Sequence, residues 1–331
     1  MSLLLAPHDF RLTWQGVVSL QEVDGAVQPW RIPYQDRALF AEPLVERAAM
    51  ASGARIAFIS NIKYVAGTIE PAPELSPIDL YCDGRYCGTV PLEGKSDFCF
   101  EDLLGQEKLV ELWLPQFGYF RLRSLALSDG ATVAPYADPR PRWVTYGSSI
   151  THCRTAASPS QTWPAIVARR RGLNLTNLGL GGQCHLDPMM ARLMRDLPAD
   201  LLSMCVGINV YGGATLNQRT FSPSIIGFVQ IVREKHPDTP FVVMSPIYSP
   251  PRETTPNAVG FTLQAMREEV AAAVATLQAH GDRHIHYVNG LDIFGADLGR
   301  FLPDELHPDA EGYRIMGQNF LEQVIPQVFP A

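Results

Sequence analysis

No stretch of this chain carries the roughly 18 consecutive apolar residues that a membrane-crossing helix needs. There is no basic surplus either: 27 Lys and Arg stand against 34 Asp and Glu, a net charge of −7. Without a cationic stripe nothing tracks a phosphate backbone, so neither nucleic acid nor a membrane is an expected partner. Cysteine is sparse. Six in 331 residues, with Cys82 and Cys87 too far apart for a CxxC pair, supply neither a disulfide framework nor a zinc ribbon. The opening MSLLLAPHDF has no basic segment ahead of its short apolar run, so no secretory leader is read there. The expected location is the cytoplasm, with the thiols free.

What the chain does have is 46% apolar residues, ample for a core, over a length that suggests two domains. Residues 10–134 read as short β-type runs broken by turns, with no long amphipathic helix among them. The runs 78–82 and 86–90 flank Asp83-Gly84, a strong hairpin signal. Several such runs predict an antiparallel β-sandwich of jelly-roll type. Its aromatics, among them Trp14, Trp30, Trp113, Phe117, Tyr119 and Phe120, read first as core, with a sugar-stacking platform as the alternative. The segment 136–142, YADPRPR, is a proline-broken, charged connector. The expected division is therefore 1–138 for the sandwich and 139–331 for a second domain, and a chain starting near Pro139 is expected to fold by itself.

After the connector, strands and helices alternate at a spacing that predicts a doubly wound parallel sheet. In the long helix near residues 261–280, Leu263, Met266, Val270, Val274 and Leu277 form the apolar stripe that packs on a sheet, and His280-Gly281 supplies the stop. Four short stretches in this half suggest chemistry. Residues 143–151, WVTYGSSIT, read as strand, tight turn and helix start, which places a serine at the carboxyl edge of the sheet, where ligands bind. Taken alone, its Gly-Ser-Ser is an ordinary turn and cap. Residues 177–182, NLGLGG, form a glycine turn that lets a backbone N–H approach a substrate. Gly207-Ile208-Asn209 puts an amide side chain at the end of the third strand. In Asp304-Glu305-Leu306-His307-Pro308 the proline keeps His307 out of a helix, so that the carboxylate can reach the imidazole. Each of the last three alone has a bland reading as well: loop glycine, loop amide, surface pair.

In this order, at the ends of successive strands, the four blocks resemble those of the SGNH hydrolases, also called GDSL esterases and lipases, over residues 143–331. The resemblance implies a flavodoxin-like α/β fold, Ser149 as nucleophile, His307 as base and Asp304 as its orienter. It also implies an oxyanion hole of Ser149, Gly182 and Asn209, with no metal or organic cofactor. Two positions depart from the family pattern: Ser148 and Val210 stand where aspartates are expected. In the first half, Pro77-Ile78-Asp79-Leu80-Tyr81 is similar to the Gly-x-Asp-Leu-Tyr signature of sandwich domains that precede some SGNH domains.

The chemistry agrees with those roles, because a serine hydroxyl needs an adjacent base whose tautomer a carboxylate fixes. An α/β-hydrolase elbow would need a glycine two residues after the serine, where Thr151 stands. A metal site from His152, Cys153, Cys184 and His185 is the weaker rival, since sequence-adjacent ligands chelate one ion poorly. His152 is still expected at the pocket. The expected activity is hydrolysis of small O-acyl esters, on a carbohydrate or a small natural product, through an acyl-Ser149 intermediate. The alternatives are transfer of that acyl group to an alcohol and a non-catalytic carbohydrate-binding protein.

Overall fold

The computed structural model describes residues 2–330. Its first part is two antiparallel sheets packed face to face. One is centred on strands Leu122–Leu127 and Val65–Ile69, the other on Arg55–Ser60, Lys108–Trp113 and Ile78–Cys82. Alternation makes the core between them: Phe58, Ile69, Leu80, Leu112 and Leu125 point inward and are fully buried or nearly so. The Asp83-Gly84 turn takes positive φ at both residues, 48° and 71°, the geometry that joins Ile78–Cys82 to Arg85–Val90. The aromatics divide. Trp30, Trp113 and Phe120 are core, Tyr119 is exposed, and Phe117 borders the cavity described below.

The second part is a five-stranded, all-parallel sheet of β1 (Arg142–Gly147), β2 (Asn174–Gly179), β3 (Leu201–Cys205), β4 (Phe241–Met244) and β5 (Ile285–Val288). The strand order is β2-β1-β3-β4-β5, the flavodoxin-like order, which reverses direction beside β1 and so opens a crevice at the carboxyl ends of β1 and β3. Helices cover both faces, and their ends follow local chemistry. The helix Trp163–Arg171 starts at Thr162, whose hydroxyl accepts from Ala165 N–H, carries Pro164 in its first turn and stops at Gly172 with φ 67°. The helix Leu263–Ala279 starts on Thr162's counterpart, Thr262, and buries the predicted stripe. None of the helices among the described residues is long and apolar enough to cross a membrane.

The two parts share one apolar core, with Trp30, Ile32, Leu44, Tyr81 and Trp113 in the same cluster as Trp143 and Trp163. Polar bolts add to it. Buried Asp79, the acid of the Asp-Leu-Tyr signature, accepts from Ser158 Oγ at 2.6 Å and Ser160 N–H at 3.0 Å, while Tyr81 Oη lies 3.1 Å from Ser160 Oγ. Arg31, also fully buried, donates to the carbonyls of Asn177 and Gly179 on β2 and of Arg47 and Met50 in the sandwich part. Burial pushes its pKa down to about 9. Arg55 repeats the arrangement on Leu175 O and Asn174 Oδ1. The connector at 136–142 therefore joins two parts that are packed on each other.

Candidate active site

Register sets the site. Gly147 on β1 pairs with Gly179 on β2 and with Cys205 on β3, so the loops that follow all three strands leave the sheet at one level. From β1 the chain turns directly into a short helix, Ser149–His152. Gly179 permits this, since a Cβ there would run into the backbone of Thr151 and His152. Ser148 is completely buried, and its Oγ accepts from Ile150 N–H at 3.2 Å as the helix cap. Ser149 instead faces a cavity of about 690 Å³, which Gly182, Asn209, Asp304 and His307 also border.

Ser149 Oγ lies 2.8 Å from His307 Nε2, and His307 Nδ1 lies 2.6 Å from Asp304 Oδ2. Burial raises the Asp304 carboxyl's pKa, but the hydrogen bonds from the His307 backbone N–H, the imidazole and Leu306 N–H outweigh it and hold the group below its ordinary value. Asp304 is therefore an anion at neutral pH. It can only accept from Nδ1–H, which leaves the lone pair on Nε2 facing the serine hydroxyl.

Three residues that line the same space, Ser149, Gly182 and Asn209, each carry an N–H donor. Ser149 N–H belongs to the first helical residue and so has no intrahelical acceptor. Gly182 takes a positive φ of 74°, a conformation glycine adopts without strain, and no heavy atom lies within 4 Å of where its Cβ would stand. Asn209 sits in the first turn of the helix Ile208–Gly213 and not, as the sequence suggested, at the end of the strand itself. Its Oδ1 accepts from Cys184 N–H at 3.0 Å, which fixes the amide at the cavity wall and leaves its NH₂ free to donate.

The sequence offered no role for Arg47, Arg154, Thr155 or Tyr313, all of which line the cavity, whereas Phe117 belongs to the aromatics of the sugar-stacking alternative. Arg47, on the helix Glu42–Ala48, and Phe117 both reach the cavity from the sandwich part. The helix has a local signal, Pro43 in its first turn after Ala41, but it is too short to show a periodic stripe. His152, expected at the pocket, is there and is almost fully buried. Among the described residues no group of three or more His, Cys, Asp or Glu is arranged to hold a metal ion.

Residues 141–325 match the model of the GDSL-like lipase/acylhydrolase family, and residues 12–123 match that of the SsfX3 N-terminal domain. The chain belongs to the GDSL-like lipase/acylhydrolase family. It is an acyl-transferring enzyme of SGNH type. Among solved structures it is similar to the salicylyl-acyltransferase SsfX3 from a tetracycline biosynthetic pathway, with 38% identity, a TM-score of 0.92, and 99% of this chain and 98% of that one covered. A GDSL-like protein from Bacteroides ovatus shares the fold at 20% identity and a TM-score of 0.80, over 99% and 98% of the two chains. A family two carbohydrate esterase from Cellvibrio japonicus does so at 12% identity and 0.66, again over 99% and 98%. No curated protein sequence matches the chain. Both departures from the GDSL pattern have a local account. Ser148 works as a buried cap, and Val210 is a fully buried core residue beside an asparagine that Cys184 N–H already orients.

Proposed function

We propose that the enzyme is a serine esterase that hydrolyses small O-acyl esters, borne by a carbohydrate or a small natural product, through an acyl-Ser149 intermediate. The hydrogen-bonded line Ser149–His307–Asp304, with its single allowed tautomer, is the observation that carries this reading. Nε2 of His307 takes the Ser149 proton as Oγ bonds to the ester carbonyl carbon. The carbonyl oxygen becomes an oxyanion facing Ser149 N–H, Gly182 N–H and the Asn209 NH₂, donors that meet a charge absent from the ground state. Collapse breaks the bond to the alkoxy oxygen, which leaves with the proton from His307. Water then attacks the acyl-enzyme by the same route, giving the acid and restoring Ser149. A cytoplasmic location, where six thiols stay reduced, is part of the same proposal.

A second reading has an observation of its own. The solved structure that shares 38% identity over nearly the whole chain is named for acyl transfer, so an alcohol could replace water in the second half-reaction. Incubation with aryl esters of increasing acyl length, with and without sugar alcohols, followed by mass analysis of products, decides between the two. Free acid in both conditions supports the esterase; an acylated alcohol in place of acid supports the transferase. No turnover of any ester overturns both.

A further inference from the structure

The cavity contains polar groups that the proposed reaction does not use. His152 Nε2 lies 2.7 Å from Gln116 O, and a carbonyl can only accept, so Nε2 carries the proton and Nδ1 is bare when the ring is neutral. The ring is kept neutral: burial holds its pKa well below the ordinary histidine value, and the charges of Arg31, Arg47 and Arg154 push the same way. The residue is 2% exposed but lines the cavity, and among the described residues Nδ1 has no hydrogen-bond partner. It lies 3.6 Å from the point where a Gly181 Cβ would stand; Ser149 Cβ is 3.7 Å and Arg47 Cδ 3.9 Å from that same point. Ser149 and His152 are three residues apart on one helical turn and present their side chains to one side.

Arg47 differs from the other cavity arginine. Arg154 pairs with Glu74 at 3.2 Å and lies over the Phe117 ring at 4.0 Å, whereas the Arg47 guanidinium has no carboxylate partner among the described residues. Its backbone is fixed to the glycine turn by Arg31, which donates to Arg47 O at 2.6 Å and to Gly179 O at 2.5 Å. A bare nitrogen acceptor and a guanidinium donor thus flank the space next to the nucleophile.

We propose that His152 Nδ1 and Arg47 form a specificity subsite for esters whose acyl group carries a hydroxyl on the carbon next to the carbonyl. A hydroxyl satisfies both groups at once, giving its proton to Nδ1 and accepting from the guanidinium. An ether can only accept, and a carboxylate would set its charge against the Nδ1 lone pair. The subsite rests on the esterase or transferase reading above, because it is defined relative to acylation of Ser149.

The test uses the wild-type enzyme and phenyl esters of propionate, 2-hydroxypropionate, 2-methoxypropionate and succinate (the half-ester). Each kcat/KM is divided by the rate constant for hydroxide hydrolysis of the same ester, which removes intrinsic reactivity. The hydroxy ester is expected to exceed propionate by about tenfold, the size of one well-made hydrogen bond, and the methoxy ester to show no such gain. In His152→Gln the side-chain amide can still donate to Gln116 O but the bare nitrogen is gone, and the hydroxy-to-propionate ratio should fall toward one. Gly181→Ala should lower that ratio too, because its methyl would stand against Nδ1. Equal values for hydroxy and methoxy esters in the wild type, or preference for the succinate half-ester, would overturn the subsite while leaving the esterase reading intact. Absence of turnover on all four would overturn the underlying reading and the subsite with it.

Discussion

Asp304 holds His307 at two points: its Oδ1 accepts the His307 backbone N–H at 2.7 Å and its Oδ2 accepts the imidazole Nδ1–H at 2.6 Å. One carboxylate thereby sets both the position of the residue and the tautomer of its ring. The three-residue spacing makes this possible, with Pro308 keeping His307 out of a helix.

Asp304→Asn puts an NH₂ where one of those two acceptors stood, so either the backbone grip or the tautomer is lost. The residue is exposed and the fold should survive. The expected result is an unchanged thermal melt with kcat lowered by on the order of 10⁴, the loss seen for the same change in the best-studied triad. A fall of less than tenfold would mean that His307 is oriented by something else.

Asn209→Ala removes a donor aimed at the position where negative charge develops. Because Cys184 N–H fixes the amide, the donor is pre-oriented and its loss should be felt in full. Steady-state kinetics should show kcat down by roughly 10² to 10³ with KM nearly unchanged. A raised KM with unaltered kcat would assign Asn209 to uniform substrate binding.

Stability should fall with acidification through His152. Burial keeps this ring neutral in the folded chain at a pH where the unfolded chain, with an ordinary value of 6.5, already binds a proton. The unfolded state then holds more protons, so stability present above about pH 6.5 is lost as the pH drops below it. Melting temperatures of wild type and His152→Gln, compared from pH 7.5 down to about 5, should diverge in slope, the variant losing less. Parallel curves would show that His152 charges as readily in the folded as in the unfolded protein.

Removal of the sandwich part should abolish folding. A chain starting at Pro139 keeps Ser149, Gly182, Asn209, Asp304 and His307 but loses Trp30, Leu44, Tyr81 and Trp113 from the shared core. It also loses Arg31 and Asp79, leaving β2 carbonyls and the Ser158–Ser160 loop without their buried partners. The expected outcome is no cooperative melt. A folded fragment that turns over aryl acetates would instead bear out the independent unit expected from the connector.

Much of this was legible in the chain. The alternation of strands and helices after residue 142 is a local pattern, and so are the four blocks at strand ends, because loops that carry chemistry sit at fixed offsets from apolar runs. Ser149 could be separated from Ser148 only by resemblance; burial and the cap on Ile150 N–H supply the physical reason. What could not be read depends on distant parts of the chain meeting. Arg47 lies 102 positions before Ser149 in the sequence and meets it only where the two parts pack, with Arg31 donating to both Arg47 O and Gly179 O. Asp79 was visible as part of a signature, but its role as a bolt to Ser158 and Ser160 exists only after the two parts pack. Asn209 was displaced by a few residues from its expected place because Gly207, with φ 120°, ends the strand early and starts a helix.

Covalent labelling reads directly whether Ser149 is the nucleophile. Wild type, Ser148→Ala and Ser149→Ala are treated with an aryl phosphonate, and the modified residue is located by peptide mass analysis. One phosphonyl group per chain is expected on Ser149, with labelling retained in Ser148→Ala and neither labelling nor ester turnover in Ser149→Ala. Labelling at Ser148, or turnover that persists in Ser149→Ala, would contradict the assignment of Ser149.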